Sequence, residues 1–124
     1  MGFQSPASNY TEQRVDFTNL VRLSPQSSYV IRSGSEYPSA GILKGSLLAV
    51  DKSLEPVHGS IVIAEINDEF TIRRLLLVPS PALQELDGEQ RITSISQQDD
   101  LPLWGVVAYV LSDVAGIGFN HATD

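Results

Sequence analysis

Two apolar, β-branched runs, Ser60 to Ile66 and Glu69 to Leu77, flank the polar dipeptide Asn67-Asp68. A two-residue connection between strands fixes an antiparallel hairpin, and Asn and Asp tolerate the positive φ that such a turn requires. In the second run Phe70, Ile72, Arg74 and Leu76 share one face, and Thr71, Arg73, Leu75 and Leu77 share the other. Val78-Pro79-Ser80-Pro81 closes it, because proline has no N–H to give to a central ladder.

The rest of the chain extends this β pattern. Ser28 to Ser33, Ser46 to Asp51, Arg91 to Ser96 and Trp104 to Leu111 read as further strands. The last, Trp-Gly-Val-Val-Ala-Tyr-Val-Leu, has the composition of a buried strand. The expected fold class is mostly β, a sandwich or partly closed barrel of about six short strands. Sheet edges open to pairing are expected at Tyr29 to Ser33 or at Trp104 to Leu111. Residues 1–24 read as an N-terminal arm with a short helical turn, 25–111 as the β domain and 112–124 as a flexible tail.

Composition narrows the function classes. A chain of 124 residues with 42% hydrophobic and 19% charged residues is a single globular domain with enough length for a core. Zero cysteines exclude disulfides, thiol nucleophiles and thiolate metal sites. The opening residues lack the basic and apolar segments of a secretory signal, which points to the cytoplasm. A net charge of −7, with eight scattered basic residues, argues against gripping phosphates directly. Any role near DNA is expected to run through protein partners.

No constellation of residues carries an obvious chemistry by itself. The acidic pairs Asp68 with Glu69, Glu85 with Asp87, and Asp99 with Asp100 read as solvated turns. His58 abuts Gly59 and reads as a turn residue, and His121 lies in the tail. There is no glycine-rich phosphate loop, no metal-ligand spacing, and no aromatic-plus-basic platform for nucleic acid. No cofactor and no metal are expected.

Three ordered blocks carry more. They are Gly2-Phe3-Gln4-Ser5-Pro6-Ala7 with Tyr10 and Glu12-Gln13; Ser33-Gly34-Ser35-Glu36-Tyr37 with Gly41-Ile42, Gly45 and Leu47 to Asp51; and His58-Gly59-Ser60-Ile61-Val62 with Glu69-Phe70-Thr71-Ile72-Arg73-Arg74-Leu75. Followed by Trp104-Gly105-Val106-Val107, this set resembles the LexA/UmuD family of self-cleaving serine peptidases, its UmuD branch most closely. The match runs from Gly2 to about Leu111 at family spacing.

The resemblance implies a β-clip domain with an extended N-terminal arm and a Ser/Lys dyad, in which a lysine kept neutral by burial takes the serine proton. It places Glu36 at the nucleophile position and Arg73 at the base position. Glutamate has no hydroxyl to activate, and a guanidinium stays protonated and accepts no proton. Gly2 stands where the residue after the cut would be, so the chain is expected to resemble the processed form. Ser33, Ser35, Lys44 and Lys52 are not expected to replace the dyad. Glu36 and Arg73 facing each other across the old site suggest a bidentate ion pair, against the alternative that each turns to solvent.

What the family implies for function is a non-catalytic accessory subunit of an error-prone translesion DNA polymerase in the SOS response. Its expected partners are a second UmuD-like chain in a homodimer or heterodimer, a UmuC-type polymerase, the recombinase filament and the sliding clamp, with no membrane and no direct nucleic-acid contact. The alternative is a decoy that heterodimerises with intact UmuD-like proteins and inhibits mutagenesis, and a residual serine peptidase is a third class.

Overall fold

The hairpin forms where its turn chemistry puts it. In the computed structural model, which describes residues 16–96 and 102–120, Asn67 and Asp68 have φ of 53° and 65°. Those left-handed values match a primed turn, whose twist follows that of the flanking strands. Strands β3 (Ile61–Ile66) and β4 (Glu69–Leu76) pair antiparallel, with Ile66 opposite Glu69 and Val62 opposite Arg73.

Before the hairpin come a helical turn, α1 (Phe17–Leu20), and strands β1 (Ser28–Arg32) and β2 (Leu47–Asp51). After it come β5 (Ala82–Gln84), β6 (Ile92–Ser94) and β7 (Leu103–Leu111). Hydrogen bonds join the seven strands in one antiparallel sheet of order β1-β2-β7-β3-β4-β5-β6. The mostly-β expectation is borne out, with β5 as an added strand. Three residues squeezed between Pro81 and a turn carry too little periodicity to announce a strand. The short helical turn of the arm is α1, while residues 1–15, His121, Asp99 and Asp100 lie outside the described residues.

The last strand lies inside the sheet, not at an edge as the sequence allowed. Strand β7 pairs with β2 from Leu47↔Leu111 to Asp51↔Val106, and with β3 from Val62↔Val106 to Ala64↔Leu103. The register shifts between Ala49 and Val50 and between Ile63 and Ala64, as bulges in twisted sheets do. The expectation of a wholly buried strand also needs correcting. Gly105 and Val106 are buried, but Tyr109, Val110 and Leu111 are exposed. The matched register with β3 ends at Val106, so the C-terminal half of β7 is held on its β2 side alone. Of the two segments expected at an edge, only β1 lies there, pairing only with β2; β6 forms the other edge of the sheet.

Alternation along the strands loads both faces. On one, Leu48, Val50, Ile63 and Ile72 are buried under Ile42 and Leu86, with Tyr37 and Trp104 packed at the margin. On the other, Val62, Ala64, Leu75, Leu83 and Val106 form a second cluster, with Leu103 and Ile95 against it. One contact sets the spacing at the centre: a Cβ on Gly105 would meet Val50 Cγ1 at 2.6 Å. Only glycine lets β7 approach β2 this closely, and a methyl there would force the strands apart.

A buried carboxylate pins the end of β2. Asp51 is 3% exposed, and its Oδ1 accepts from the Ser53 hydroxyl at 2.6 Å, the Ser53 N–H at 2.8 Å and the Ser27 hydroxyl at 3.0 Å. The Ser53 hydroxyl first, then the Ser53 N–H and the Ser27 hydroxyl, hold Asp51 below the usual carboxylate range against the opposing effect of burial.

Two outcomes follow. Gly105→Ala is expected to destabilise the fold by about 1–3 kcal/mol, read as a lower urea midpoint. Because the folded pKa of Asp51 is depressed, its contribution is present above the ordinary aspartate range and is lost as pH falls through and below that range. The difference in unfolding free energy between wild type and Asp51→Asn should therefore be largest at neutral pH and shrink in acid, measured by urea denaturation at several pH values.

Candidate functional site

The residues placed at the dyad positions approach from opposite halves of the sheet. Glu36 sits in the connection from β1 to β2, just before a 3-10 turn at Pro38–Ala40. That connection is tightly built. Tyr37 and Ile42 exchange backbone hydrogen bonds at 2.8 and 3.1 Å, and Gly41 closes the turn at φ 71°. Arg73 projects from β4, half-buried, while Glu36 is exposed. Both line one open cleft of about 390 Å³, whose other charged residues are Glu85, Asp87, Glu89 and Arg91.

They share the cleft but do not form the ion pair that the sequence suggested. Among the described residues, Glu36 and Arg73 are not within 4.0 Å as an ion pair, whereas Arg91 and Glu89 pair at 2.7 Å. Arg73 instead donates from one guanidinium nitrogen to the carbonyl of Ile72, its own neighbour, at 2.9 Å. The physical reason is the loop: Glu36 rides on an exposed segment anchored by backbone bonds on either side, and nothing draws its carboxylate inward. An exposed pair would gain at most about 1 kcal/mol, too little to reshape that loop.

Several neighbouring hydroxyls and amines are committed elsewhere, while Ser35 is exposed. Ser33 is buried and donates to the Ser35 carbonyl. Ser39 donates from its hydroxyl to the Leu86 carbonyl at 2.9 Å and from its N–H to Asp87 Oδ1 at 3.0 Å. The ammonium of Lys52 lies 4.9 Å from the Trp104 ring centre and 5.8 Å from that of Tyr29. Lys44 is exposed in the turn after Ile42. His58 serves its turn, its Nδ1 accepting from the N–H groups of Leu77 at 2.9 Å and Val78 at 3.4 Å.

Two features escaped the sequence reading. The first is the Ser39–Asp87 tie, which fastens the loop carrying Glu36 to the Leu86–Asp87 turn, 48 residues away along the chain. The second is an aromatic row assembled from three strands: Tyr29 and Trp104 have ring centres 5.2 Å apart, and Trp104 and Phe70 5.3 Å apart. Single aromatics far apart in sequence gave no signal of it. Among the described residues Lys52 is the cation over its rings, while Arg32 and Arg73, which line a pocket with Phe70, are engaged with the Phe119 ring and the Ile72 carbonyl. No cluster of three or more His, Asp or Glu side chains with metal-site geometry occurs among the described residues.

The comparisons agree with the ordered blocks. Residues 1–108 match the Peptidase S24-like family. The chain is 40% identical over 111 residues to protein ImpA of Salmonella typhimurium, an overlap of 89% of this chain and 76% of the relative. It is 38% identical over 112 residues to protein MucA of Escherichia coli, covering 89% and 77%. With protein SamA of Salmonella typhimurium it shares 41% identity over 107 residues, covering 86% and 74%.

Since Glu36 is exposed and unpaired with Arg73, Glu36→Gln is expected to change the unfolding free energy by less than about 0.5 kcal/mol. Ser39→Ala, which removes a bond between two loops, should cost about 1 kcal/mol in the same urea titration.

Proposed function

The chain belongs to the Peptidase S24-like family, that of the LexA/UmuD-type proteins, and from that premise we propose that it is a non-catalytic accessory subunit of an error-prone translesion DNA polymerase in the SOS response. It acts in the cytoplasm by binding proteins, not by cutting them. What supports this reading is that Glu36 and Arg73, which the resemblance assigns to the two dyad positions, line one cleft. A carboxylate on an exposed loop offers no hydroxyl for attack, and a guanidinium that donates to the Ile72 carbonyl takes no proton from one.

Support for binding comes from what the fold keeps. The sheet and the loop that once would have carried a nucleophile are fully built, with the loop fastened by the Ser39–Asp87 bond. The net charge of −7 favours protein partners over a phosphate backbone. The partners of this reading are a second UmuD-like chain, a UmuC-type polymerase, the recombinase filament and the sliding clamp.

Co-purification with a UmuC-type polymerase, followed by primer extension past an abasic site, tests it. Complex formation with stimulated bypass is the expected result. Inhibited bypass would convert the protein into a decoy, and cleavage of an Ala-Gly or Cys-Gly peptide at alkaline pH would restore it to the peptidases.

A further inference from the structure

The aromatic row lies outside the cleft and is rigidly mounted. Tyr29 is on β1, Trp104 on β7 and Phe70 on β4, so the row crosses the sheet on the face that buries Ile63 and Ile72. Tyr29 is 47% and Phe70 54% exposed, although large aromatics gain most from being covered. Tyrosine and tryptophan held on strands, with little conformational freedom left to lose, are the residue types that dominate binding energy at protein interfaces.

The row is electrically asymmetric. At one end the Lys52 ammonium sits over Trp104 and Tyr29, so these rings already hold a cation in this geometry. At the other end Glu65 lies directly across from Phe70 in the β3–β4 ladder, hence on the same face. The Glu65 carboxylate has no ion-pair partner among the described residues, and the exposed acids Asp68 and Glu69 stand at the turn just beyond. Phosphates stacked along this row would meet those carboxylates, which disfavours a nucleic acid.

We propose that the Tyr29–Trp104–Phe70 row is a docking surface for a protein partner that presents a basic segment, with an arginine or lysine side chain seated between the Phe70 ring and the Glu65 carboxylate. The ring face supplies a cation–π contact and the carboxylate an ion pair, while Tyr29 and Trp104 cover the aliphatic neighbours of that residue. This rests on the reading of the chain as a binding protein only in taking the occupant to be a protein. It requires no particular polymerase.

The chain has a single tryptophan, so Trp104 emission reports on the row alone. The full chain is titrated with a short peptide alternating arginine and leucine, with a glutamate–leucine peptide of equal length, and with an oligothymidylate. A saturable, salt-sensitive change with the arginine peptide alone is expected. Its apparent Kd should rise about tenfold or more in Phe70→Ala and in Glu65→Lys. In Glu89→Gln, on the separate cleft, it should stay unchanged, with circular dichroism confirming that each variant is folded. Absence of a saturable change, binding by either row variant as tight as by wild type, or binding of the oligothymidylate or the glutamate peptide overturns the proposal. So does a concentration-dependent emission change without peptide, which would make a second copy the occupant. Failure of the polymerase pull-down leaves this titration intact, so the two readings fall separately.

Discussion

The sheet depends on the close approach of β7 to β2 at Gly105 and Val50. Strands β1 and β2 form one half, and β3 to β6 the other; β7 is the one that pairs with both. A missing Cβ at Gly105 lets the Val50 side chain occupy the space between the strands. The functional features inherit that spacing. Glu36 hangs from the first half and Arg73 from the second, so β7 sets the width of the cleft between them. Tyr29 and Phe70 belong to opposite halves as well, and Trp104 on β7 fills the interval. Cleft and aromatic row are thus two readouts of one strand insertion.

The parts legible in the sequence were those governed by local rules. Asn67-Asp68 announced the hairpin because positive φ is a property of two residues, and the alternation after it placed Arg73 correctly. Strand β5 was hidden because proline-rich punctuation masks a three-residue ladder. The position of β7 was illegible for another reason: composition speaks to burial, not to which strands lie on either side. Its apolar C-terminal half reads like a core strand yet stays exposed at Tyr109, Val110 and Leu111. The aromatic row needed contacts between residues up to 75 positions apart, from Tyr29 to Trp104, and no periodicity encodes those.

At the cleft, chemistry and architecture separate. The resemblance assigns Glu36 and Arg73 to the dyad positions through family spacing, and on that assignment their identities bear on what proton transfer is possible. Their geometry was not so accessible, since an ion pair drawn from charge and proximity overlooked the backbone bonds that hold the Glu36 loop outward. What joins the loop to the rest is a neutral serine and a turn aspartate, Ser39 and Asp87. Neither dyad side chain is among the buried residues of the core. Substitutions at Glu36 and Arg73 therefore leave the hydrophobic clusters intact, and a surface site can vary in chemistry while the sheet does not change.

The strand that joins the halves is also synthesised after both of them. Until it emerges, β2 and β3 each present an open row of N–H and C=O groups, with Val50 and Val62 facing a gap instead of a neighbour. Such nascent edges are templates for mispairing between polysomal neighbours. A stop between Ser94 and Leu103 would leave two half-sheets with nothing between them, fit for proteolysis rather than for folding. Only a chain translated through β7 can close its own sheet.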